Sequence, residues 1–425
     1  MEHFVLKGDI CYSTAPRVLE TARDAYLVCE AGESAGVFET LPEQYQSLPC
    51  IDCSGHLITP GLVDLHVHAS QFSFRALGMD LELIDWLHTH TFPEEEKYAD
   101  MAYAFSAYLS FVQDVQRGPN TRAVIFATRH VPATVLLMDL LEESGLVTMV
   151  GKVNMDRHAP APLVEIGAAQ SLADTRTWLD AVAGRYQRVA PILTPRFIPS
   201  CSDALMAGLG ALQRAFGLPV QSHLSESRAE IKWVGELCPE AESYGHAYYR
   251  NGLFGGEVPT VMAHCVWPSN EEFALMERQK IWVAHCPQSN SNLSSGIAPI
   301  RRYIEAGIPV GLGSDVAGGA HTSIFRAMSD AIGVSKLYWR LIDPDARPLT
   351  LEEAFYLGTL GGGQFFGRVG SFRPGFEFDA LVIDDRVISG GRDLTIPDRL
   401  ARVVHLSDER QIKHKFVRGT AVALC

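Results

Sequence analysis

The chain has 425 residues, enough for one large domain and a smaller accessory one. Hydrophobic residues make up 47% and charged residues 20% of it, which is typical of a globular protein with a sizeable core. The formal net charge is −14, from 36 Lys and Arg against 50 Asp and Glu. This balance argues against nucleic acid as a partner, because phosphate binding needs a basic surface.

The sequence shows no sign of export or of a membrane span. Glu2 and Lys7 place charges where a signal peptide would need an apolar stretch, and no run of about 18 uncharged apolar residues occurs. The nine cysteines are scattered from Cys11 to Cys425, which indicates reduced thiols rather than a disulfide framework. We therefore expect a cytoplasmic protein without a membrane partner.

The apolar pattern divides the chain into three parts. Residues 1–57 and 370–425 contain short β-like runs with turn signals between them. In residues 58–369, short apolar runs alternate with longer helical patterns, which is typical of βα units and a parallel sheet. Eight buried-strand candidates occur in this middle part: 58–68, 123–127, 147–153, 189–194, 220–223, 261–264, 281–285 and 310–315.

Eight such runs predict an α/β fold, a TIM-like (β/α)8 barrel that forms the catalytic domain. The β-rich ends predict one small β-sandwich domain assembled from both termini. In a barrel, the C-terminal ends of all eight strands converge on one face, where catalytic groups collect. Polar residues that end several strands are therefore expected to meet.

The first candidate strand ends in two histidines, His66 and His68. Because side chains on a strand alternate between faces, both project the same way, into the barrel mouth. Two neighbouring imidazoles are a ready pair of zinc ligands. The alternative is a pair of polar residues that are satisfied at a strand end.

Other polar residues end later strands. His223 can supply a third nitrogen ligand, and Glu226, three residues on, can reach back over a metal and carry protons. His264 can donate a hydrogen bond to an attacking water or to an oxyanion. Asp315 lies in a glycine-rich segment and can serve as an oxygen ligand that also accepts the proton of the attacking water.

Five motifs, in this order and spacing, resemble the amidohydrolase superfamily: PGLVDLHVH, QSHLSE, MAHC, VAHCPQSNSNLSSG and GLGSDVAGG. The resemblance is to the branch of mononuclear zinc deaminases, and it covers the whole central region and the flanking β segments. It implies one metal ion per subunit, with zinc expected and iron(II) as the alternative. The implied ligands are His66, His68, His223 and Asp315. The implied catalytic residues are Glu226, Asp315 and His264.

Four further segments resemble the guanine deaminase family more narrowly: HASQFSF, TFPEEEKYAD, VGKVNMD and LTPRFIPSCSD. This resemblance implies a homodimeric hydrolase that acts on the C–N bond of a cyclic amidine, with guanine as the substrate, in purine catabolism. The purine-recognising residues of the family map onto Gln71, Arg196 and Phe197. Their chemistry suits guanine, because Arg196 offers planar donors for the C6 carbonyl, Gln71 both donates and accepts, and Phe197 can stack on the ring.

Other interpretations stay open. The site could serve another aminated heterocycle, such as an oxidised purine or a triazine, or the chain could be a binding protein that has lost the chemistry. Without the resemblance, Arg196 would be paired with a nearby acid and Phe197 would be a core residue.

Three further features favour structural interpretations. Cys50 and Cys53 match half of the motif of another zinc deaminase class, but its HxE motif is absent upstream, so we interpret both as packing residues. Lys152 lies near the end of the third strand candidate, where a carboxylated lysine bridging two metals is not expected. His285 is interpreted as a structural residue that holds the loop at Asn290.

Overall fold

The computed structural model describes residues 3–390 and 393–424. The strands are β1 (His3–Ala15), β2 (Val18–Glu30), β3 (Glu33–Phe38), β4 (Cys50–Pro60), β5 (Leu62–His68), β6 (Asn120–Phe126), β7 (Val147–Gly151), β8 (Val153–Asn154), β9 (Val189–Pro191), β10 (Thr194–Pro195), β11 (Val220–Leu224), β12 (Thr260–His264), β13 (Trp282–His285), β14 (Val310–Leu312), β15 (Ala380–Ile383), β16 (Ile412–Val417) and β17 (Thr420–Val422).

The α-helices are α1 (Leu83–Trp86), α2 (Phe92–Glu95), α3 (Met101–Arg117), α4 (Val131–Ser144), α5 (Ala168–Val182), α6 (Asp203–Phe216), α7 (Arg228–Leu237), α8 (Tyr244–Tyr249), α9 (Asn270–Gln279), α10 (Pro287–Asn292), α11 (Ile300–Glu305), α12 (Ile324–Leu341), α13 (Leu351–Tyr356), α14 (Arg386–Ser389) and α15 (Ile396–Leu406). Among the described residues, no helix is both long and apolar enough to cross a membrane.

Eight parallel strands close into a barrel in the middle of the chain. One parallel run joins β5, β6, β7 and β9, and a second joins β11, β12, β13 and β14. The runs meet on one side where Leu193 bridges Val220. On the other side, the Asp315 N–H donates to the His66 carbonyl at 2.8 Å. The predicted (β/α)8 barrel is therefore confirmed.

The barrel interior is a packed apolar plug beneath the mouth. Branched and small side chains from several barrel strands form one buried cluster that includes Val63, Leu65, Val124, Ile192, Val261 and Ala284. Removing apolar surface from water contributes roughly 25 cal/mol per Å², so this plug and the helix layers around it provide the main driving force for the fold. Catalytic groups are thereby confined to the strand ends above the plug.

Strand β5 departs from strict alternation just below the mouth. Leu65 packs in the interior cluster, whereas Val67 packs against the outer helices. Residues two apart share a face in a regular strand, so the strand must change sides between them. Its pairing with β6 is irregular between Asp64 and Val67, which is the expected effect of a bulge.

Both ends of the chain contribute to one seven-stranded sheet, in the order β17-β16-β15-β4-β1-β2-β3. Strand β4 lies parallel to β1 and antiparallel to β15, which joins the two ends of the chain at the centre of the sheet. The ring of Phe4 lies 5.2 Å from that of Phe378 and 5.0 Å from that of Phe416, between ring centroids. The expected small β domain built from both termini is confirmed.

The run predicted as the first barrel strand, 58–68, consists of two strands, so that prediction was wrong in this detail. Strand β4 ends at Pro60 and belongs to the small sheet, whereas β5 begins at Leu62 and belongs to the barrel. A Cβ on Gly61 would lie 2.2 Å from the Thr121 side chain, so only glycine fits at the junction.

We propose Gly61 as the first domain boundary in place of residue 57. The division at residues 369 and 370 stays a proposal. The C-terminal part of the small domain, predicted as residues 370–425, includes residues 391, 392 and 425, which lie outside the described residues.

Candidate active site

The four predicted ligands meet at the barrel mouth. His66 and His68 end β5, His223 lies on β11, and Asp315 follows β14. The His66 Nε2 atom is 3.1 Å and the His68 Nε2 atom 3.5 Å from Asp315 Oδ1, and the Nε2 atoms of His68 and His223 are 3.2 Å apart. All four side chains are buried or nearly so. The structure thus brings together residues from strands on opposite sides of the barrel.

The hydrogen bonds around the cluster show that its nitrogens fit a metal ion. The Nδ1 atom of His223 lies 2.6 Å from the Arg196 carbonyl, which only accepts, so Nδ1 is the donor and Nε2 presents its lone pair to the cluster. The Nε2 atom of His66 is buried and makes no hydrogen bond to the residues described. Three imidazole nitrogens and a carboxylate oxygen form a donor set that suits a divalent transition metal.

The electrostatics favour the protonation states that a metal requires. Burial lowers the pKa of His66, His68 and His223, which keeps the imidazoles neutral. For Asp315, burial alone would raise the pKa, but His66, His264 and His68 hold it well below its usual value. The carboxylate is therefore ionised and the imidazoles carry free lone pairs.

Cys286 also lies near the cluster, within reach of His264 and Asp315. Its Sγ donates to the Ala284 carbonyl at 3.4 Å, and burial raises the pKa of the thiol well above its ordinary value. A protonated thiol is a poor metal ligand. The histidine and aspartate set is therefore the better candidate.

Glu226 and His264 lie beside the ligand cluster. The His264 Nε2 atom is 3.4 Å from Glu226 Oε2 and 3.7 Å from Asp315 Oδ2. Its Nδ1 donates to Asn290 Oδ1 at 2.9 Å, and Ser295 Oγ donates to Glu226 Oε1 at 2.8 Å. Burial raises the pKa of Glu226, although His264 opposes that rise. Burial lowers the pKa of His264, but the two carboxylates outweigh it and raise the pKa overall.

The backbone is strained where these side chains are presented. Ser225, His264 and Asp315 have φ values of 48°, 72° and 46°, in the left-handed region that residues other than glycine rarely adopt. Each follows or ends a barrel strand at the mouth. Such strain is typical of functional sites, where the surrounding structure holds a side chain in an unusual direction.

Gln71, Arg196 and Phe197 line the same pocket as the ligand cluster. The empty space between these walls, counted out to the open solvent, is about 450 Å³. Its other walls are apolar and come mainly from the segment around α1: Leu83, Trp86, Leu87 and Leu293. A flat, partly apolar ligand with polar edges would match these walls.

Sequence reasoning missed two glutamates around the pocket. Glu95 accepts from Gln71 Nε2 at 3.0 Å and pairs with Arg196 Nη1 at 2.5 Å. Arg196 therefore does pair with a nearby acid, while it also faces the pocket. Glu230 accepts from the Glu226 N–H at 3.0 Å, and burial, aided by Glu226, raises its pKa to about 7. Glu95 lies inside the TFPEEEKYAD segment, but the resemblance gave it no role, and both contacts depend on long-range or loop geometry that the sequence does not show.

The structure places His285 outside the mouth. It lies between the barrel and the helix layer, near Ile300 and Ser335, and neither ring nitrogen has a hydrogen-bond partner among the described residues. Asn290 is instead bound by His264. The prediction that His285 holds the loop at Asn290 was therefore wrong.

Lys152 and the two early cysteines are apart from the site. Lys152 is fully buried in an ion pair with Glu165, so it is not available to bridge metals. Cys53 packs in the core of the small sheet as expected, whereas Cys50 is exposed, so its interpretation as a packing residue was wrong. The eight described cysteines form no disulfide, and Cys425 lies outside the described residues.

Comparison with known proteins agrees with this barrel and its polar mouth. The sequence pattern of the amidohydrolase family matches residues 57–422. The chain belongs to the amidohydrolase family.

Several similar proteins are guanine deaminases, as the sequence motifs had predicted. The chain is 39% identical to the guanine deaminase of Dictyostelium discoideum, with 88% of this chain and 84% of that protein covered. It is 35% identical to the guanine deaminase of Homo sapiens, with 98% and 96% covered. The crystal structure of a guanine deaminase from C. acetobutylicum with guanine bound in its active site superposes with a TM-score of 0.96, at 41% identity, covering 99% of this chain and 100% of that one.

Proposed function

We propose that this protein is a zinc-dependent guanine deaminase, which hydrolyses guanine to xanthine and ammonia in purine catabolism. One observation carries the proposal: the ligands His68, His223 and Asp315, the Glu226 carboxylate and the Arg196 and Gln71 side chains line one pocket, and His66 lies 3.1 Å from Asp315. A guanine ring held at its C6 edge by Arg196 and Gln71 can direct its amino-bearing carbon toward the ligand cluster. The similarity to guanine deaminases over nearly the whole chain supports the same activity.

The ligand set is assigned to His66, His68, His223 and Asp315. Three imidazoles with one carboxylate suit zinc, and iron(II) would accept the same donors. A bound zinc ion lowers the pKa of a coordinated water to roughly 7 and so supplies a nucleophile near neutral pH. Metal analysis of the purified protein, with His223→Ala as the ligand-deficient variant, tests this assignment.

Glu226 is assigned the proton transfers, with Asp315 as the alternative first acceptor. Glu226 takes a proton from the attacking water and gives one to N3 of guanine as the water oxygen bonds to C2. The electron pair of the C2–N3 double bond moves to N3. Glu226 then takes the remaining proton from the added oxygen and passes it to the amino nitrogen, so that the C2–N bond breaks, ammonia leaves and the C2 carbonyl of xanthine forms. His264, held by Asn290, orients the attacking oxygen with its Nε2 atom.

Substrate binding is assigned to Gln71, Arg196 and Phe197. Arg196 donates to the C6 carbonyl, and Gln71 has both a donor and an acceptor for the same edge of the ring. Phe197 is nearly buried and has Trp233 edge-on at 6.1 Å between ring centroids, which leaves one part of its ring to contact the purine.

The substrate assignment is tested with a panel of aminated rings. The zinc-loaded protein is incubated with guanine, adenine, cytosine, 8-oxoguanine and an aminotriazine, and ammonia release is measured. We expect guanine to be turned over fastest. Faster release from the oxidised purine or the triazine would overturn the assigned roles of Arg196, Gln71 and Phe197 and leave the metal site intact.

We also propose that the protein works in the cytoplasm as a homodimer. The absence of disulfides among the described cysteines suits a reducing compartment. An apolar patch at the end of α12, formed by Leu337, Leu341 and Ile342, is exposed on the single chain and suits a contact with a second copy. Light scattering on the purified protein should give the mass of a dimer, and a monomer mass would contradict this part of the proposal.

A further inference from the structure

Glu95 is the residue on which the two polar purine-contacting side chains converge. It ends helix α2, and its side chain is only 5% exposed. One carboxylate oxygen accepts from Gln71 Nε2 at 3.0 Å and the other pairs with Arg196 Nη1 at 2.5 Å. Gln71 follows β5 and Arg196 follows β10, so a single carboxylate connects two distant parts of the pocket wall.

The Glu95 contact fixes the orientation of the Gln71 amide. A carboxylate only accepts, so Gln71 must turn its NH2 group toward Glu95. The Gln71 oxygen is then directed at the Ala317 N–H, which lies 3.4 Å away in the loop after Asp315. One amide hydrogen and one oxygen lone pair remain for a ligand. The amide therefore offers its groups to the pocket in one defined arrangement.

The same carboxylate fixes the direction of the Arg196 guanidinium. The ring of Phe92 lies 5.3 Å from Arg196 Cζ and supports the group on another side. In the described part of the chain, no second side-chain acceptor lies within hydrogen-bond reach of this guanidinium, so its other N–H groups stay available for a ligand. Without Glu95, the buried cation would have no counter-charge.

We infer that Glu95 is a positioning residue that holds Arg196 and Gln71 in their purine-binding directions before the substrate arrives. This inference rests on the proposed function. Two long side chains that are already ordered lose less conformational entropy when the purine binds. The purine edge therefore binds more tightly than it would to disordered side chains. Glu95 acts through Arg196 and Gln71 and does not itself line the pocket.

The neighbouring Glu94 provides a matched comparison. It is as buried as Glu95 and lies on the same short helix, but it pairs with Lys97 at 2.7 Å and accepts from the Tyr103 hydroxyl. Neither partner lines the pocket. A general loss of order in α2 would follow from changing either glutamate, whereas a loss of purine binding should follow from changing Glu95 alone.

The test measures kcat and KM for guanine in the wild type, E95Q, R196M, the E95Q/R196M double variant and the control E94Q. Glutamine has the shape of glutamate but can offer an accepting oxygen to only one of the two donors. We expect E95Q to lose about 10- to 100-fold in kcat/KM, mainly through a rise in KM. In the R196M background the same change should lower kcat/KM by less than about 3-fold, because the guanidinium that Glu95 positions is absent there.

Three results would overturn the inference. These are an E95Q protein within about 3-fold of the wild type, an E95Q loss that persists undiminished in R196M, and an equal loss in E94Q. If E95Q does not fold, as judged by its melting temperature, E95D keeps the charge but is too short to reach both partners, and it should show the same rise in KM. A wild type without guanine turnover would contradict the proposed function itself, and that result is seen before any variant is compared.

Discussion

Glu226 is suited to proton transfer by its surroundings rather than by its position in the sequence. Its side chain is buried, Ser295 donates to one oxygen, and His264 lies 3.4 Å from the other. Burial raises the pKa of this carboxyl and His264 opposes the rise, so its protonated form is easier to reach than that of an exposed glutamate, as a group that accepts and returns a proton requires. A neutral amide of the same shape would keep the contact with Ser295 and lose the proton transfer.

We predict that E226Q keeps its metal and loses turnover by about 10²- to 10⁴-fold, the usual contribution of a general acid and base. The measurement combines kcat with the metal content of each preparation. Glu236→Gln, a change at an exposed glutamate of α7, serves as the control and should leave both unchanged. Near-normal turnover in E226Q would remove Glu226 from the mechanism.

At the scale of single residues, the predicted ligands and His264 stand at or just after strand ends, while their roles stay a prediction. His66, His68, His223, His264 and Asp315 all occur at such positions, and barrel geometry brings strand ends together. Glu95 could not be predicted in this way, because it lies on a short helix over the mouth and acts only through side chains that are distant in sequence. Its role depends on packing that no local pattern encodes.

At the scale of elements, the segment that presents Glu226 is anchored by a buried carboxyl on a neighbouring helix. Glu272 of α9 accepts from Ser225 Oγ at 2.6 Å and from the Gly245 N–H of α8 at 2.7 Å. Burial raises the pKa of Glu272 from 4.5 to about 7. One titratable group therefore connects the end of β11 with two helices.

The raised pKa of Glu272 predicts a pH-dependent effect on stability. The native carboxyl binds a proton between pH 4.5 and about 7 that the unfolded one does not, so its contribution is fully present below pH 4.5 and is lost as the pH rises through 7. E272Q cannot ionise. We expect its free energy of unfolding to match the wild type near pH 4.5 and to exceed it by up to about 3 kcal/mol above pH 7, since one pKa unit corresponds to about 1.4 kcal/mol.

Thermal unfolding at pH 5 and pH 8 measures this effect. The gap in melting temperature between E272Q and the wild type should widen at pH 8. Glu277→Gln, at an exposed position of the same helix, should show no such change. An equal gap at both pH values would show that Glu272 does not titrate as its burial implies.

The sequence predicted most of the elements but not their junctions. Apolar runs located all eight barrel strands, because each must bury both faces. The apolar pattern does not predict the separation of β4 from β5 at Gly61, because the apolar run continues through this residue. Only the close approach of the Thr121 side chain requires a glycine there. The irregularity in β5 between Asp64 and Val67 likewise depends on pairing with β6, which alternation alone does not predict.

At the scale of the whole molecule, a buried arginine joins the barrel to the small sheet. Arg122 of β6 donates to both oxygens of Asp379, at 2.6 and 2.9 Å, and to Glu377 at 2.8 Å. The Arg122 and Asp379 side chains are each about 1% exposed. Removing the cation would leave a buried carboxylate without its partner, which costs far more than a surface ion pair.

We predict that R122M lowers the free energy of unfolding by about 3 to 5 kcal/mol, the usual cost of breaking a buried ion pair from one side. Chemical denaturation measures the loss, and guanine turnover of the folded variant at low temperature should remain, because Arg122 is remote from the mouth. Arg176→Met, at an exposed position of α5, is the control. A stable R122M protein would show that the small sheet does not depend on this pair.

We propose that a metal ion held by His66, His68, His223 and Asp315 enables the hydrolysis of guanine. The most direct measurement follows guanine by ultraviolet absorbance and ammonia by a coupled assay, before and after treatment with a chelator. We expect one ammonia per xanthine formed, loss of activity on chelation and recovery on adding zinc. A protein with zinc demonstrably bound that leaves guanine unchanged would contradict the claim.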